Sequence, residues 1–270
     1  MDKKIGFIGS GNMAQAIIGG ILNSKLVCEN NIMASNTSEG PLQTVKNKYG
    51  ILVTANNKEV AQFADILFLS VKPDVYEEVI KEIKDCIKED VIVVTIAAGI
   101  NLKSVEVAFD KKIKIVRTMP NTPALVGEGM SAICYNSMVT KEELDIVVKI
   151  FESFGKAEVI EEKLIDVVSA VSGSSPAYVY MFIEALTQGA VLRGLPWNKA
   201  YKFATQAVLG SAKMVLETGE HPALLRDRVC SPGGSTIQGV YSLERNNFEG
   251  IIIEAMEKCT EKVIQMSKGQ

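Results

Sequence analysis

Histidine is almost absent: His221 is the single one among 270 residues. An enzyme built from this chain could use no other histidine as a general base. The five cysteines, Cys28, Cys86, Cys134, Cys230 and Cys259, are scattered, odd in number and never spaced Cys-x-x-Cys. That argues against a disulfide framework and, with one histidine, against a zinc site, so no metal is expected. Free thiols beside ten methionines fit a reducing cytoplasm. No run of five like charges occurs, and 29 basic residues against 32 acidic ones leave a net charge of −3. A nucleic-acid or membrane-surface protein would show a basic patch or stripe, so neither partner is expected. Long apolar runs are missing too. Residues 5–24 come nearest, but Gly6, Gly9, Ser10, Gly11, Asn12, Gln15, Gly19 and Gly20 interrupt them. A signal sequence or a membrane span needs a more compact apolar stretch.

What is present is an ordinary soluble composition, 47% apolar and 23% charged, long enough for one or two domains. The first part alternates strands with helices. KIGFI (4–8), NIMAS (31–35), DILFLSV (65–71), VIVVTIA (91–97), KIVRTM (114–119) and AEVI (157–160) read as strands, several as the continuous apolar runs of a buried parallel sheet. Helices are expected from Asn12 to Asn23, from Pro41 to Gly50, and over Val75, Val79, Ile80, Ile83 and Ile87, whose spacing is helical. Thr140 and Glu143 form a capping box before a helix over 141–153. The alternation implies right-handed crossovers and an α/β domain with a parallel-rich sheet over residues 1–160.

From residue 161 the strand signal vanishes, and 176–193, 197–217, 235–245 and 248–267 read as helices, so 161–270 is expected to be all-α. Helix 176–193 carries only Glu184 and Arg193 as charges, with small residues at Ala177, Ala185, Gly189 and Ala190. Such a helix is either the centre of a monomeric bundle or part of a subunit interface, and the small size of this half favours the interface.

Four turns could carry chemistry. Gly9-Ser10-Gly11-Asn12-Met13-Ala14 fits G-x-G-x-x-G/A between a strand and a helix, the setting in which that pattern signals a dinucleotide rather than an ordinary turn. Gly9 makes the tight turn, Gly11 admits a pyrophosphate, Ala14 packs on the strand, and the helix amides hold the phosphates. The second strand ends in Ser35-Asn36-Thr37, with no acid for the ribose hydroxyls of NAD and no arginine for the phosphate of NADP. NADP(H) is favoured and NAD(H) remains possible. Val71-Lys72-Pro73-Asp74 and Arg117-Thr118-Met119-Pro120-Asn121-Thr122-Pro123 end two further strands, where ligands of open sheets bind; each reads equally as a plain connector. Ser231-Pro232-Gly233-Gly234-Ser235-Thr236 sets amides and hydroxyls before a helix. It is either a small-carboxylate site or a turn capped by Ser235.

Taken together, GSGNMA, FLSVKP, TIAAGI, RTMPNTPALVGEG, SGSSPAY and DRVCSPGGSTIQGVYSLE, in this order, resemble the pyrroline-5-carboxylate reductases over essentially the whole chain. The resemblance implies NAD(P)H-dependent reduction of 1-pyrroline-5-carboxylate to L-proline, the last step of proline biosynthesis. It implies a Rossmann domain followed by a helical dimerisation and substrate domain, assembled as homodimers and, in many members, as decamers of five dimers. By the same resemblance Ile8, Gly9, Ser10, Gly11, Asn12, Met13, Ser35, Asn57, Val71, Lys72, Pro73, Ala97, Ala98 and Gly99 would line the cofactor. The amides of Gly234, Ser235 and Thr236 would hold the substrate carboxylate, with the Thr236 hydroxyl, the catalytic candidate, facing the ring nitrogen. Ser175 departs from the family, which usually has a second glycine there. Two other readings share much of the pattern: another imine or keto-acid reductase of the β-hydroxyacid dehydrogenase plan, and a non-catalytic NAD(P) sensor. The first typically needs a lysine on the long helix opening its second domain, and helix 176–193 has none. The second has no use for the carboxylate turn.

Overall fold

Strand β1 (Ile5–Ile8) is buried along its whole length and lies in the middle of a sheet. The others are β2 (Ile32–Ser35), β3 (Leu52–Thr54), β4 (Ile66–Leu69), β5 (Ile92–Thr95), β6 (Lys114–Met119), β7 (Gly129–Tyr135) and β8 (Gly155–Val159). In the computed structural model, which describes residues 1–268, their order is β3-β2-β1-β4-β5-β6-β7-β8. Every neighbouring pair is parallel except β6 and β7, so the sheet is parallel-rich. The chain runs outward from β1 to β3, then returns to β4 on the other side of β1. The switch point falls between β1 and β4, where ligands of such sheets bind.

Helices α1 (Asn12–Asn23), α2 (Glu39–Tyr49), α3 (Asn57–Phe63), α4 (Tyr76–Ile83), α5 (Leu102–Phe109), α6 (Lys141–Glu152) and α7 (Ile165–Val168) accompany the sheet. Strand side chains alternate between two cores, which is why the strands read as unbroken apolar runs. Ile5, Phe7, Ile66, Phe68 and Val94 face α1, α2 and α6, where Phe7 and Phe68 stack at 4.7 Å and Phe151 and Phe154 continue the row. Ile8, Leu67, Leu69, Val93 and Ile115 face α3, α4, α5 and α7. Burying each such phenylalanine contributes about 1.5–3 kcal/mol. The capping box of α6 is formed, the Thr140 hydroxyl accepting from the Glu143 amide at 3.3 Å and the Glu143 carboxylate from the Thr140 amide at 3.0 Å.

Several elements differ from the sequence reading. The helix expected to reach Ile87 stops at Ile83. Cys86 and Ile87 still pack on the core, so the apolar spacing outlasts the helix. β3, α3, α5, β7, α7 and a helix over Pro222–Val229 were not anticipated.

By its contacts the chain divides into two compact units, residues 1–174 with 259–268, and residues 175–258. The second unit holds α8 (Ser175–Leu192), α9 (Trp197–Thr218), α10 (Pro222–Val229), α11 (Ser235–Arg245) and most of α12 (Phe248–Lys268). α8 packs on α9, and Phe182 meets Phe248 at 6.2 Å. Thr187 is nevertheless the one buried residue of α8, while Tyr180, Met181 and Leu192 are 60%, 69% and 86% exposed. Among the described residues no helix is long and apolar enough to cross a membrane.

Candidate functional site

The turn after β1 is shaped by its neighbours. The Gly9 amide donates to the Ser35 carbonyl at 3.0 Å, and the Ser70 amide donates to the Ile8 carbonyl at 2.8 Å. Gly9 is left-handed, with φ 96°, and a β-carbon there would collide with the Ser70 backbone. Gly11 is different: its φ is −70°, and a β-carbon would meet nothing within 4 Å. Among the described residues nothing crowds position 11, so what glycine preserves is open space in front of α1. The cap residue of α1 is Gly11, which brings no side chain to the helix amides, and the first turn holds no acid. Its bare amides and dipole therefore face that space as an anion site, and the residues fit a dinucleotide pyrophosphate. Asn12 is exposed and Met13 is half-buried against the core.

The ends of β1 and β2 are tied to the turn. Ser10 is buried; its hydroxyl accepts from Asn36 Nδ2 at 2.8 Å, and its carbonyl accepts from Gln15 Nε2 at 3.0 Å. The buried Ser35 hydroxyl donates to Asn57 Oδ1 at 2.7 Å, and Asn57 Nδ2 donates to Glu82 at 2.8 Å. Beyond β4, Val71 and Pro73 are half-buried and Lys72 is exposed. The Ser70 hydroxyl is buried there without a protein partner among the described residues. Tyr76 locks this corner by donating to the Leu69 carbonyl at 2.6 Å, and burial pushes its phenol well above the usual range. Beyond β5, Ala97 is buried, Ala98 half-buried, and Gly99 left-handed against Met266 near the end of α12. All these residues therefore gather at the carboxyl edge around the switch point.

An ion cluster around the buried Arg117, with half-buried partners, escaped the sequence reading. Arg117, 3% exposed, donates to Asp166 at 2.7 Å and to Glu162 at 3.2 Å. The same Glu162 oxygen accepts the Leu102 amide at the start of α5, at 2.7 Å. Burial, reinforced by the Glu162 charge, pushes the neighbouring Cys134 thiol up to about 12. The partners lie 45 and 49 residues from Arg117, and no local spacing pairs them.

In the second unit, Gly233 turns the chain with φ 68°, and the Gly234 amide donates to the Ser231 carbonyl at 3.0 Å. Gly234, not Ser235, occupies the cap position of α11, and as glycine it brings no side chain to the first amides. Ser235 and Thr236 are exposed in the first turn, which carries no acid. His221 is accounted for elsewhere: its Nδ1 accepts from the Ala223 amide at 3.2 Å and caps α10.

Helix amides opened at the switch point of a parallel sheet define a dinucleotide-binding oxidoreductase, and residues 4–99 match the family described as NADP oxidoreductase, coenzyme F420-dependent. Residues 162–266 match the family described as pyrroline-5-carboxylate reductase dimerisation. The pyrroline-5-carboxylate reductase of Escherichia coli K12 is 51% identical over 268 residues, covering 99% of this chain and 100% of that one. A solved Coxiella burnetii pyrroline-5-carboxylate reductase superposes with a TM-score of 0.92 at 34% identity, over 99% of each chain. That of Plasmodium falciparum, solved with NADP bound, gives 0.90 at 35% over 98% of each. The chain belongs to the pyrroline-5-carboxylate reductases, and its activity is that reduction, in proline biosynthesis.

Proposed function

We propose that the chain makes L-proline by directing a hydride from NADPH, with NADH as a second donor, onto 1-pyrroline-5-carboxylate. The observation that carries the reading is that both glycine turns end in helix N-termini whose cap residue is glycine, Gly11 and Gly234, which brings no side chain to the first amides. Around the first, the amides at Gly11, Asn12 and Met13 hold the pyrophosphate, with Ile8, Gly9 and Ser10 shaping the turn. Ser35 and Asn57, then Val71, Lys72 and Pro73, then Ala97, Ala98 and Gly99, line the remainder of the cofactor. The end of β2 offers no carboxylate to repel a 2′-phosphate, which supports NADPH.

Around the second turn, the amides of Gly234, Ser235 and Thr236 hold the substrate carboxylate, and the Thr236 hydroxyl faces the ring nitrogen. When bound, the reduced nicotinamide supplies the hydride. The protein orients the two reactants. The imine arrives protonated from solvent, so the capping role of His221 costs the reaction nothing. On this reading residues 1–160 hold the cofactor, and 161–270 dimerise and hold the substrate. The exposed apolar face of α8 supports a homodimer, and five dimers close a decamer. Five free thiols support a cytoplasmic site of action.

Oxidation of NADPH and NADH, followed in parallel with pyrroline-5-carboxylate as substrate, tests the proposal. Turnover with kcat/KM for NADPH at least equal to that for NADH is expected. No turnover with either cofactor overturns the reading, and a strong NADH preference overturns its cofactor part.

A further inference from the structure

Pro176 stands at the second position of α8. It has no amide hydrogen to give the carbonyl four residues back, that of Ser172, and its ring crowds that carbonyl. Immediately before it the helix widens to a π turn over Ser169–Ser174, a form found in single turns and often at functional sites. The Ser172 carbonyl accepts from a side chain: Asn121 Nδ2 donates to it at 3.0 Å. The other end of the same amide is used too, Asn121 Oδ1 accepting from the Met130 amide of β7 at 2.9 Å. Asn121 is 7% exposed. Beside it, Gly173 approaches Met119 so closely that a β-carbon would stand 2.7 Å from the methionine Cε. Met119 is the last residue of β6. The π turn is thus held against the carboxyl end of β6, next to the strand whose end carries Ala97–Gly99.

A dinucleotide across this switch point lays its adenosine half over β1–β3 and its reacting half toward β4–β6. The π turn therefore borders the reacting half, and the glycine turn serves the other. We infer that Asn121 is a positioning residue for hydride transfer: it replaces the amide hydrogen that Pro176 lacks, and so fixes the π turn as a wall of the reacting end of the site. The inference rests on the cofactor placement proposed above. NADPH binding by Gly11→Val, weakened if the pyrophosphate lies at the β1 turn and unchanged if it does not, tests that placement separately from these variants.

Three variants separate this role from a merely structural one: Asn121→Ala, Pro176→Ala and the double variant. Pro176→Ala restores a backbone amide opposite Ser172, which makes Asn121 Nδ2 redundant there. Asn121→Ala alone should lower kcat at least about tenfold, about 1.4 kcal/mol in the barrier, with the NADPH Kd by fluorescence changed less than about threefold. In the Pro176→Ala background the same substitution should lower kcat less than about threefold. An equal loss in both backgrounds, an unchanged kcat, or a Kd that rises in step with the lost kcat overturns the inference. Should Asn121→Ala fail to fold, a folded and active double variant supports the substitution of one donor for the other, and an unfolded one overturns it.

Discussion

Gly9 and Ser70 face each other across the carboxyl ends of β1 and β4 so closely that a β-carbon on Gly9 would stand 2.5 Å from the Ser70 carbonyl oxygen. Two residues on, Gly11 faces open space. The two glycines should therefore fail differently. Gly9→Ala combines a clash with a left-handed φ, a strain of about 1–3 kcal/mol, and should lower the melting temperature. Gly11→Val should keep wild-type circular dichroism and melting, and weaken NADPH at least about tenfold, about 1.4 kcal/mol. A folded Gly11→Val that binds NADPH as the wild type does would remove the pyrophosphate from this turn.

Met181 presents a thioether that is 69% exposed on a helix nearly free of charge. Light scattering at micromolar protein should give at least a dimer for the wild type. Met181→Glu, which places a charge on that face, should shift the mass toward the 29.3 kDa of one chain. A fully active wild-type monomer would contradict the assembly.

Thr236→Val keeps the shape, the helix start and the backbone amide while deleting the hydroxyl. A hydrogen bond that strengthens as the ring nitrogen changes along the reaction is worth about 1–3 kcal/mol, or about 5- to 150-fold in kcat. A fall of that size is expected, with NADPH affinity and melting temperature little changed. Unchanged kcat with a lowered melting point would make Thr236 a first-turn helix residue only.

Asp65 accepts from the Lys4 amide at 2.8 Å and from the Lys88 ammonium at 2.7 Å. Burial pushes its carboxyl up, but the Lys4 bond and the Lys88 charge together outweigh burial and hold it below its ordinary 3.8. A depressed folded value gives stability that is present above the unfolded value and is lost as pH falls through the folded one. Asp65→Asn should therefore lower the melting temperature at pH 7, and the gap to wild type should close below about pH 3.9. A gap that stays constant from pH 7 to pH 2.5 would show that the ion pair contributes nothing.

Elements whose signal is local were legible in the sequence. The β1 turn with α1, the apolar runs of β4 and β5, and the Thr140 capping box need only neighbouring residues to be seen. β7 was invisible for a physical reason: GMSAICY is small and mixed in polarity, and its burial comes from lying between β6 and β8. The eight-residue α5 gave too short a period to read. At the site, Ser35 and Asn57 were both marked as cofactor residues, and the structure joins them by a hydrogen bond. Arg117 lay in a marked loop, but its partners Glu162 and Asp166 are supplied by folding alone. Asn121 lay in the same marked loop, but its partner Ser172 lies 51 residues on and is supplied by folding alone.

The strand order leaves two open rims, and each is blunted. β3 offers three residues to any stranger, and β8 carries exposed Lys156 and Glu158 on one face. Short or charged rims template poorly. The eight strands can thus wait unpaired at their borders during synthesis without recruiting other chains into fibrils, and self-association is left to the helical unit.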